Sequence, residues 1–205
     1  MTAVDGERAE RRQAVHDFKR RAILAAARTV LSRKGPAGLT IRAVAAEAGY
    51  ATGAVYSYFA SKEEILASLV TDELGHLARR MKDTDAPLAT ASAAQRLAAM
   101  SETAFHALSR DADILPLAQG AFEGGDLPPE VERLLTGRLI GALSALAAPI
   151  EPEGGTSEES ASLTLAMAAF LLGAAMLERA GRFQSLNLDS NAVVRLGIER
   201  LARGT

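Results

Sequence analysis

The sequence predicts an all-α protein of nine helices, and three observations carry that expectation. No alternation of apolar and polar residues persists long enough for a strand. Apolar residues instead recur at three- and four-residue spacing from Phe18 to Leu201, and alanine, the strongest helix former, is abundant throughout. With 205 residues, 48% of them hydrophobic, the chain is long enough to bury a sizeable core as one large domain or two modest ones.

The first helix is expected from about Asp17 to Lys34, burying Phe18, Ala22, Ile23, Ala26, Val30 and Leu31, and "KGPAG" stops it. Thr40 is a side-chain cap for "TIRAVAAEAG", a two-turn helix with Ile41, Val44, Ala45 and Ala48 inward and Gly49 as its stop. A third short helix runs from about Thr52 to Phe59. Ser61, with Glu64 three residues on, forms a capping box for a long fourth helix on which Leu66, Val70, Leu74, Leu77 and Met81 share a face. "DTDAP" separates this from a fifth helix at about Thr90 to Ser109, and a sixth follows from Ala112 to Phe122. After "EGGDLPP", Pro129 opens a seventh that continues to about Ala148. "PIEPEGGTSEES" leads into an eighth over Ser157 to Arg182, and Asp189 or Ser190 caps a ninth ending near Arg203.

Composition removes several function classes. There is no cysteine, the three histidines (His16, His76, His106) are scattered, and no glycine-rich phosphate loop occurs. The adjacent pairs Glu63–Glu64 and Glu158–Glu159 point to different sides of a helix. No catalytic residue, metal ligand or cofactor is therefore assigned, and an all-helical enzyme or carrier is the rival reading. The leader "MTAVDGERAERRQAVHDFKRR" alternates charge and lacks the apolar core of a secretory signal, so a cytoplasmic protein is expected. The uncharged run from Ser160 to Leu177 reaches membrane-spanning length, but its Ala, Ser and Thr content and its flanking glutamates favour a helix buried on most sides within protein.

Charge is unevenly distributed. Residues 1–62 hold eleven Lys and Arg against five acids, whereas residues 63–205 hold twelve against twenty. A basic N-terminal part on an acidic body suits either a polyanionic partner or a solvated basic face. The helices Thr40–Ala48 and Thr52–Phe59, joined through Gly49, decide between these, because together they describe a helix-turn-helix. Ala45 and Ala48 allow close crossing and Val55 plugs the shared core. Thr52, Gly53, Ala54, Ser57 and Tyr58 then face outward, small enough to let a helix enter the major groove. Tyr56 is positioned for a phosphate, or else closes the small core as a partly buried aromatic. Thr40 and Lys62, at helix starts, also suit phosphates.

"LTIRAVAAEAGYATGAVYSYFASKEEIL" resembles the DNA-binding signature of the TetR family of bacterial transcriptional repressors over roughly residues 18–70. The resemblance implies phosphate contacts at Thr40, Tyr56 and Lys62, and positions at or near the bases for Arg42, Thr52, Gly53, Ala54, Ser57 and Tyr58. Two residues depart from the family pattern. Ala51 stands where a capping residue is common, leaving Thr52 either to cap or to face DNA, and Tyr50 replaces a small aliphatic residue.

The implied layout is a flexible basic arm over residues 1–16, a DNA-binding domain over 17–62, and a ligand-binding and dimerisation domain over 63–205. The arm would add nonspecific affinity for double-stranded DNA. The last two helices would pair with their twins through Ala166, Ala169, Gly173, Ala174, Val194, Ile198 and Leu201, making a homodimer for a palindromic operator. A pocket for an apolar or amphipathic small-molecule inducer would draw on Met100, Phe105, His106, Gln119, Phe122, Glu123, Met167 and Phe170. The fourth helix is the lever between pocket and DNA. Activation, or control by a protein partner, is the alternative to ligand-relieved repression.

Overall fold

The computed structural model describes residues 3–110, 127–150 and 158–202. Among the described residues are nine α-helices and no strand: α1 Ala3–Lys34, α2 Ile41–Ala48, α3 Thr52–Tyr56, α4 Lys62–Asp85, α5 Ala93–Arg110, α6 Pro129–Ala147, α7 Glu158–Arg179, α8 Arg182–Ser185 and α9 Ser190–Ala202. The all-α expectation holds, with differences in detail. The predicted sixth helix at Ala112 to Phe122 lies outside the described residues. The predicted eighth helix stops at Arg179 and a short helix not foreseen follows it, since Gly181 enters the left-handed region (φ 67°) and turns the chain so that Phe183 of α8 is buried.

The start of α1 is also different. The leader expected as a flexible arm is helical from Ala3 onward, because its Ala, Glu, Arg and Gln residues favour helix and pair along it. Gln13 donates to the Asp17 carboxylate at 2.9 Å, and Arg12 Nε donates to the Arg8 carbonyl at 3.3 Å. Phe18, expected inside, is 65% exposed because it is out of phase with Ile23 and Ala27.

The chain divides into two compact units. The first comprises the described residues up to Val70, with residues 127–132. The division comes later than the boundary expected after residue 62 because the opening turns of α4 bury Ile65, Leu66 and Leu69. In this unit α1 packs on α2, and α2 on α3. Val44 and Val55 are fully buried, with Leu39 and Phe59 beside them at 1% exposure. Arg20 braces α1 against the chain that follows α3: its guanidinium lies 4.7 Å above the Phe59 ring and donates to Ser68 Oγ at 2.9 Å.

The caps were partly legible. Thr40 Oγ1 accepts from the Ala43 N–H at 3.1 Å, as expected. Ser61 Oγ accepts from the Glu64 N–H at 3.2 Å, while the Glu64 carboxylate reaches one residue further back than a standard capping box, to the Ala60 N–H at 2.7 Å. A reciprocal box not foreseen opens α5, where Ser92 Oγ accepts from the Gln95 N–H and Gln95 Oε1 accepts from the Ser92 N–H. Asp189, one of the two candidates, caps α9 through the Asn191 N–H at 2.9 Å.

In the second unit α5, α7 and α9 pack pairwise around Met100, Phe105, Met167, Leu171, Phe183, Val194 and Ile198. Gly197 on α9 is required by that packing, because a Cβ there would run into the Phe170 ring.

Asp85 at the end of α4 and Arg96 on α5 form a bidentate pair, Nε–Oδ1 2.7 Å and Nη2–Oδ2 2.6 Å. The Arg96 hydrogen bonds, opposed by desolvation and aided by the Arg96 charge, hold the Asp85 carboxyl below its ordinary range. A depressed folded-state pKa contributes stability above the unfolded value, and that contribution is lost as pH falls through the folded value. Asp85→Asn should therefore lower the melting temperature at neutral pH. The gap to wild type should close only below the ordinary carboxylate range, as thermal melts across pH will report.

Candidate nucleic-acid interface and ligand cavity

The first site is built by a turn whose backbone is fully accounted for. Gly49 adopts φ 70°, ψ 27°, its N–H meets the Ala46 carbonyl at 3.4 Å, and the Tyr50 N–H meets the Ala45 carbonyl at 2.9 Å. This pair of bonds closes α2 and redirects the chain into α3. Ala51 is the N-cap of α3 and supplies no side-chain bond, so Thr52 begins the helix and no hydrogen bond occupies its hydroxyl among the described residues. Such a missing cap costs about 1 kcal/mol. Tyr50 is half-buried.

The third helix is shorter than expected. It ends at Tyr56, where the Ser57 and Tyr58 N–H groups bond three residues back, to Ala54 and Val55. That tightening sends Phe59 into the core. Val55 and Phe59 thus hold α3 from beneath, leaving Thr52, Gly53, Ala54, Tyr56 and Ser57 exposed. Tyr58 is half-buried, its ring 4.8 Å from that of His16, so α1 reaches the end of the exposed face.

Beside this face is a shallow depression of about 460 Å³, lined by Thr40, Ile41, Arg42, Thr52, Tyr56, Ala60, Ser61, Lys62 and Glu63. Five of the residues singled out for DNA contact therefore share one rim. Tyr56 is 55% exposed, which removes its alternative reading as a core aromatic. Lys62 Nζ lies 3.7 Å from Glu63, a solvent-exposed pair that a phosphate could displace at little cost. The contact of His16 with Tyr58 was not foreseen, since its signal is tertiary.

The second unit contains an apolar cavity of about 90 Å³, lined by residues of α4 (Leu74, Leu77, Met81), α5 (Ala104, Leu108), α6 (Leu139, Ala142, Leu143, Leu146) and α7 (Ala168, Leu171, Leu172). None of the described residues among those named for a pocket lines it. Met100, Phe105 and Met167 fill the core, and Phe170 is packed on Gly197. His106 is half-buried, its Nδ1 without a hydrogen bond, while Gln119, Phe122 and Glu123 lie outside the described residues. Bulky soft residues have the chemistry of a pocket lining, but large side chains at helical spacing fill space. Ala104, Ala142 and Ala168 on three neighbouring helices leave it open.

The expected dimer residues also separate. Ala166, Ala169 and Gly173 are exposed on α7, together with Leu165, Leu172, Met176 and Leu177. Ala174, Val194 and Ile198 instead lie in the chain's own core, at 5%, 0% and 2% exposure, and offer no surface. Leu201 is half-buried, and Leu196 is the exposed large apolar residue of α9. α7 is long and apolar enough to cross a membrane, and only 33% of its apolar window is buried, so it is not enclosed on most sides as expected. Thr164, Met167, Leu171, Ala174 and Ala175 face the core, and the remaining apolar face is open.

Residues 23–69 match the family described as bacterial regulatory proteins, tetR family. A fatty acid metabolism regulator protein of Bacillus subtilis (strain 168) is 32% identical over 97 residues, 47% of this chain and 49% of that protein. The chain thus aligns with about half the length of this curated relative. Among solved structures, the fatty acid degradation regulator FadR from Bacillus halodurans aligns over 90% of this chain and 94% of its own, with a TM-score of 0.64 at 20% identity. FadR from Bacillus subtilis in complex with stearoyl-CoA aligns over 90% and 98%, with a TM-score of 0.60 at 23% identity. Mycobacterium smegmatis BioQ aligns over 89% and 94%, with a TM-score of 0.63 at 21% identity. At these identities the likeness is one of fold.

Proposed function

We propose that this chain, whose residues 23–69 match the tetR family of bacterial regulatory proteins, is a ligand-responsive transcriptional regulator. It acts without catalysis in the cytoplasm, as a repressor that binds a palindromic operator as a homodimer. The single observation that supports this best is the exposed Thr52–Ser57 face of α3, held from below by Val55 and Phe59 beside the rim of Thr40, Arg42 and Lys62. Small residues enter the major groove while Thr40, Tyr56 and Lys62 take phosphates, fixing register. Arg42, exposed on the same rim, and Tyr58, at the end of the face, border the bases.

The ligand is an amphipathic molecule with a long acyl chain. The cavity wall is wholly aliphatic but for Met81, and the relatives above regulate fatty acid metabolism or bind stearoyl-CoA. At about 90 Å³ the cavity is smaller than the roughly 300 Å³ at which ligand sites begin, so the chain binds by favouring a wider arrangement of α4 to α7. α4 is the lever, as a continuous helix from Lys62 to the cavity residue Met81 and beyond. Its displacement changes the spacing of two recognition helices, and differential affinity for the two states sets how far repression is relieved.

Genome-wide binding by the purified protein, followed by electrophoretic shift on the recovered site, tests this reading. We expect a palindrome whose half-sites lie about 34–36 Å apart, released by stearoyl-CoA or another long-chain acyl ligand. Enrichment of no site over bulk DNA would overturn it. So would an operator affinity indifferent to every acyl ligand that binds.

A further inference from the structure

We propose that Arg79 and Arg138 form an anion site above Gly75 that takes the acidic headgroup, phosphate or carboxylate, of the acyl ligand. The inference rests on the acyl-ligand reading and assigns residues to the half of the ligand that the aliphatic cavity leaves without partners.

Gly75 is a buried glycine in the interior of α4. A Cβ built on it would lie 3.4 Å from Arg138 Nη1 and 3.5 Å from Arg79 Nη1, so guanidinium groups from α6 and α4 converge on one point. Two cations meeting in this way repel one another, and neither is paired with a carboxylate among the described residues. Arg79 is further held by His76: Nη2 and Nδ1 are 3.0 Å apart, and since a guanidinium only donates, Nδ1 accepts. The result is a set of guanidinium donors whose one printed acceptor among the described residues is His76 Nδ1. Planar guanidinium forks match the oxygens of phosphate and carboxylate.

The site flanks the two helices that build the cavity wall. Gly75 follows the wall residue Leu74, and Arg138 precedes the wall residue Leu139, itself 37% exposed. A ligand whose chain lies between α4 and α6 can therefore carry its headgroup to the flank of the same helix pair. The absence of a Cβ at Gly75 leaves the floor beneath the guanidinium groups low, so that an anion can settle between them.

Calorimetry of wild type, R79Q/R138Q and G75D against stearoyl-CoA, stearate and free coenzyme A tests the assignment, with circular dichroism to verify folding. Arg79 and Arg138 are exposed and can change without touching the core, and a Cβ at Gly75 makes only ordinary contacts. R79Q/R138Q should weaken stearoyl-CoA binding about 10- to 100-fold and remove most of its salt dependence. G75D, which supplies a carboxylate at the point of convergence while keeping both arginines, should weaken it comparably. Loss confined to stearoyl-CoA and coenzyme A identifies phosphate as the anion, and equal loss for stearate identifies carboxylate. Unchanged affinities in both variants would overturn the anion site and leave the acyl-ligand reading standing. Failure of wild type to bind any of the three ligands would overturn both.

Discussion

Ala54→Leu is expected to reduce operator affinity to the level seen with unrelated DNA, a loss of about 10³-fold or more, while melting temperature and oligomeric state stay at wild-type values. The fold tolerates the change because Ala54 is exposed, with α3 held by Val55 at 0% and Phe59 at 1% exposure. The groove does not. A helix reading base edges must approach closely, and the outward residues Thr52, Gly53, Ala54 and Ser57 are all small. A branched four-carbon side chain at the centre of that face stands the helix away from every base at once, whereas contacts at Thr40 and Lys62 with phosphates persist. Residual binding should therefore remain and keep its salt dependence. Titration of operator and scrambled DNA at two salt concentrations reads both quantities. Retention of wild-type discrimination would mean that another surface reads the sequence.

Met176→Glu should convert the proposed dimer to monomer and lower operator affinity by about 10²- to 10⁴-fold, the usual gain from joining two binding modules. Met176 is 61% exposed on α7, on the same helix as exposed Leu165, Leu172 and Leu177 and the small residues Ala166, Ala169 and Gly173. An apolar face with glycine and alanine between larger residues suits close helix pairing, and a second copy of the chain would cover it. A glutamate on that face would be buried in the proposed dimer without a partner in its apolar surround. Sedimentation velocity reads the assembly and operator titration its consequence. A wild-type monomer at micromolar concentration would refute the dimer, and a variant still dimeric would move the interface away from α7.

The two predictions depend on different kinds of legibility. The outward face of α3 could be read almost residue by residue, because a helix-turn-helix is local: Gly49 makes the turn, the Val55 and Phe59 positions face inward, and Thr52, Gly53, Ala54, Tyr56 and Ser57 are exposed. What escaped was the end of α3 and the contact of Tyr58 with His16, which depends on how far α1 extends toward the N-terminus. The apolar cavity was not legible at all. Met100, Phe105 and Met167 have pocket-like chemistry, but a void is defined by what neighbouring helices fail to fill, and those three fill their positions.

By itself, then, the sequence determined the helical class, the stops at Gly35 and Gly49, the cap at Thr40, and the outward-facing small residues of α3, since each follows from periodicity and backbone chemistry within about a dozen residues. Only the tertiary structure decided which face of α7 is spare, that Val194 and Ile198 belong to the chain's own core, that Phe170 needs Gly197, and that two arginines from α4 and α6 converge on Gly75. The reason is physical. An amphipathic pattern states that a face must be covered, and packing between helices distant in the chain states by what.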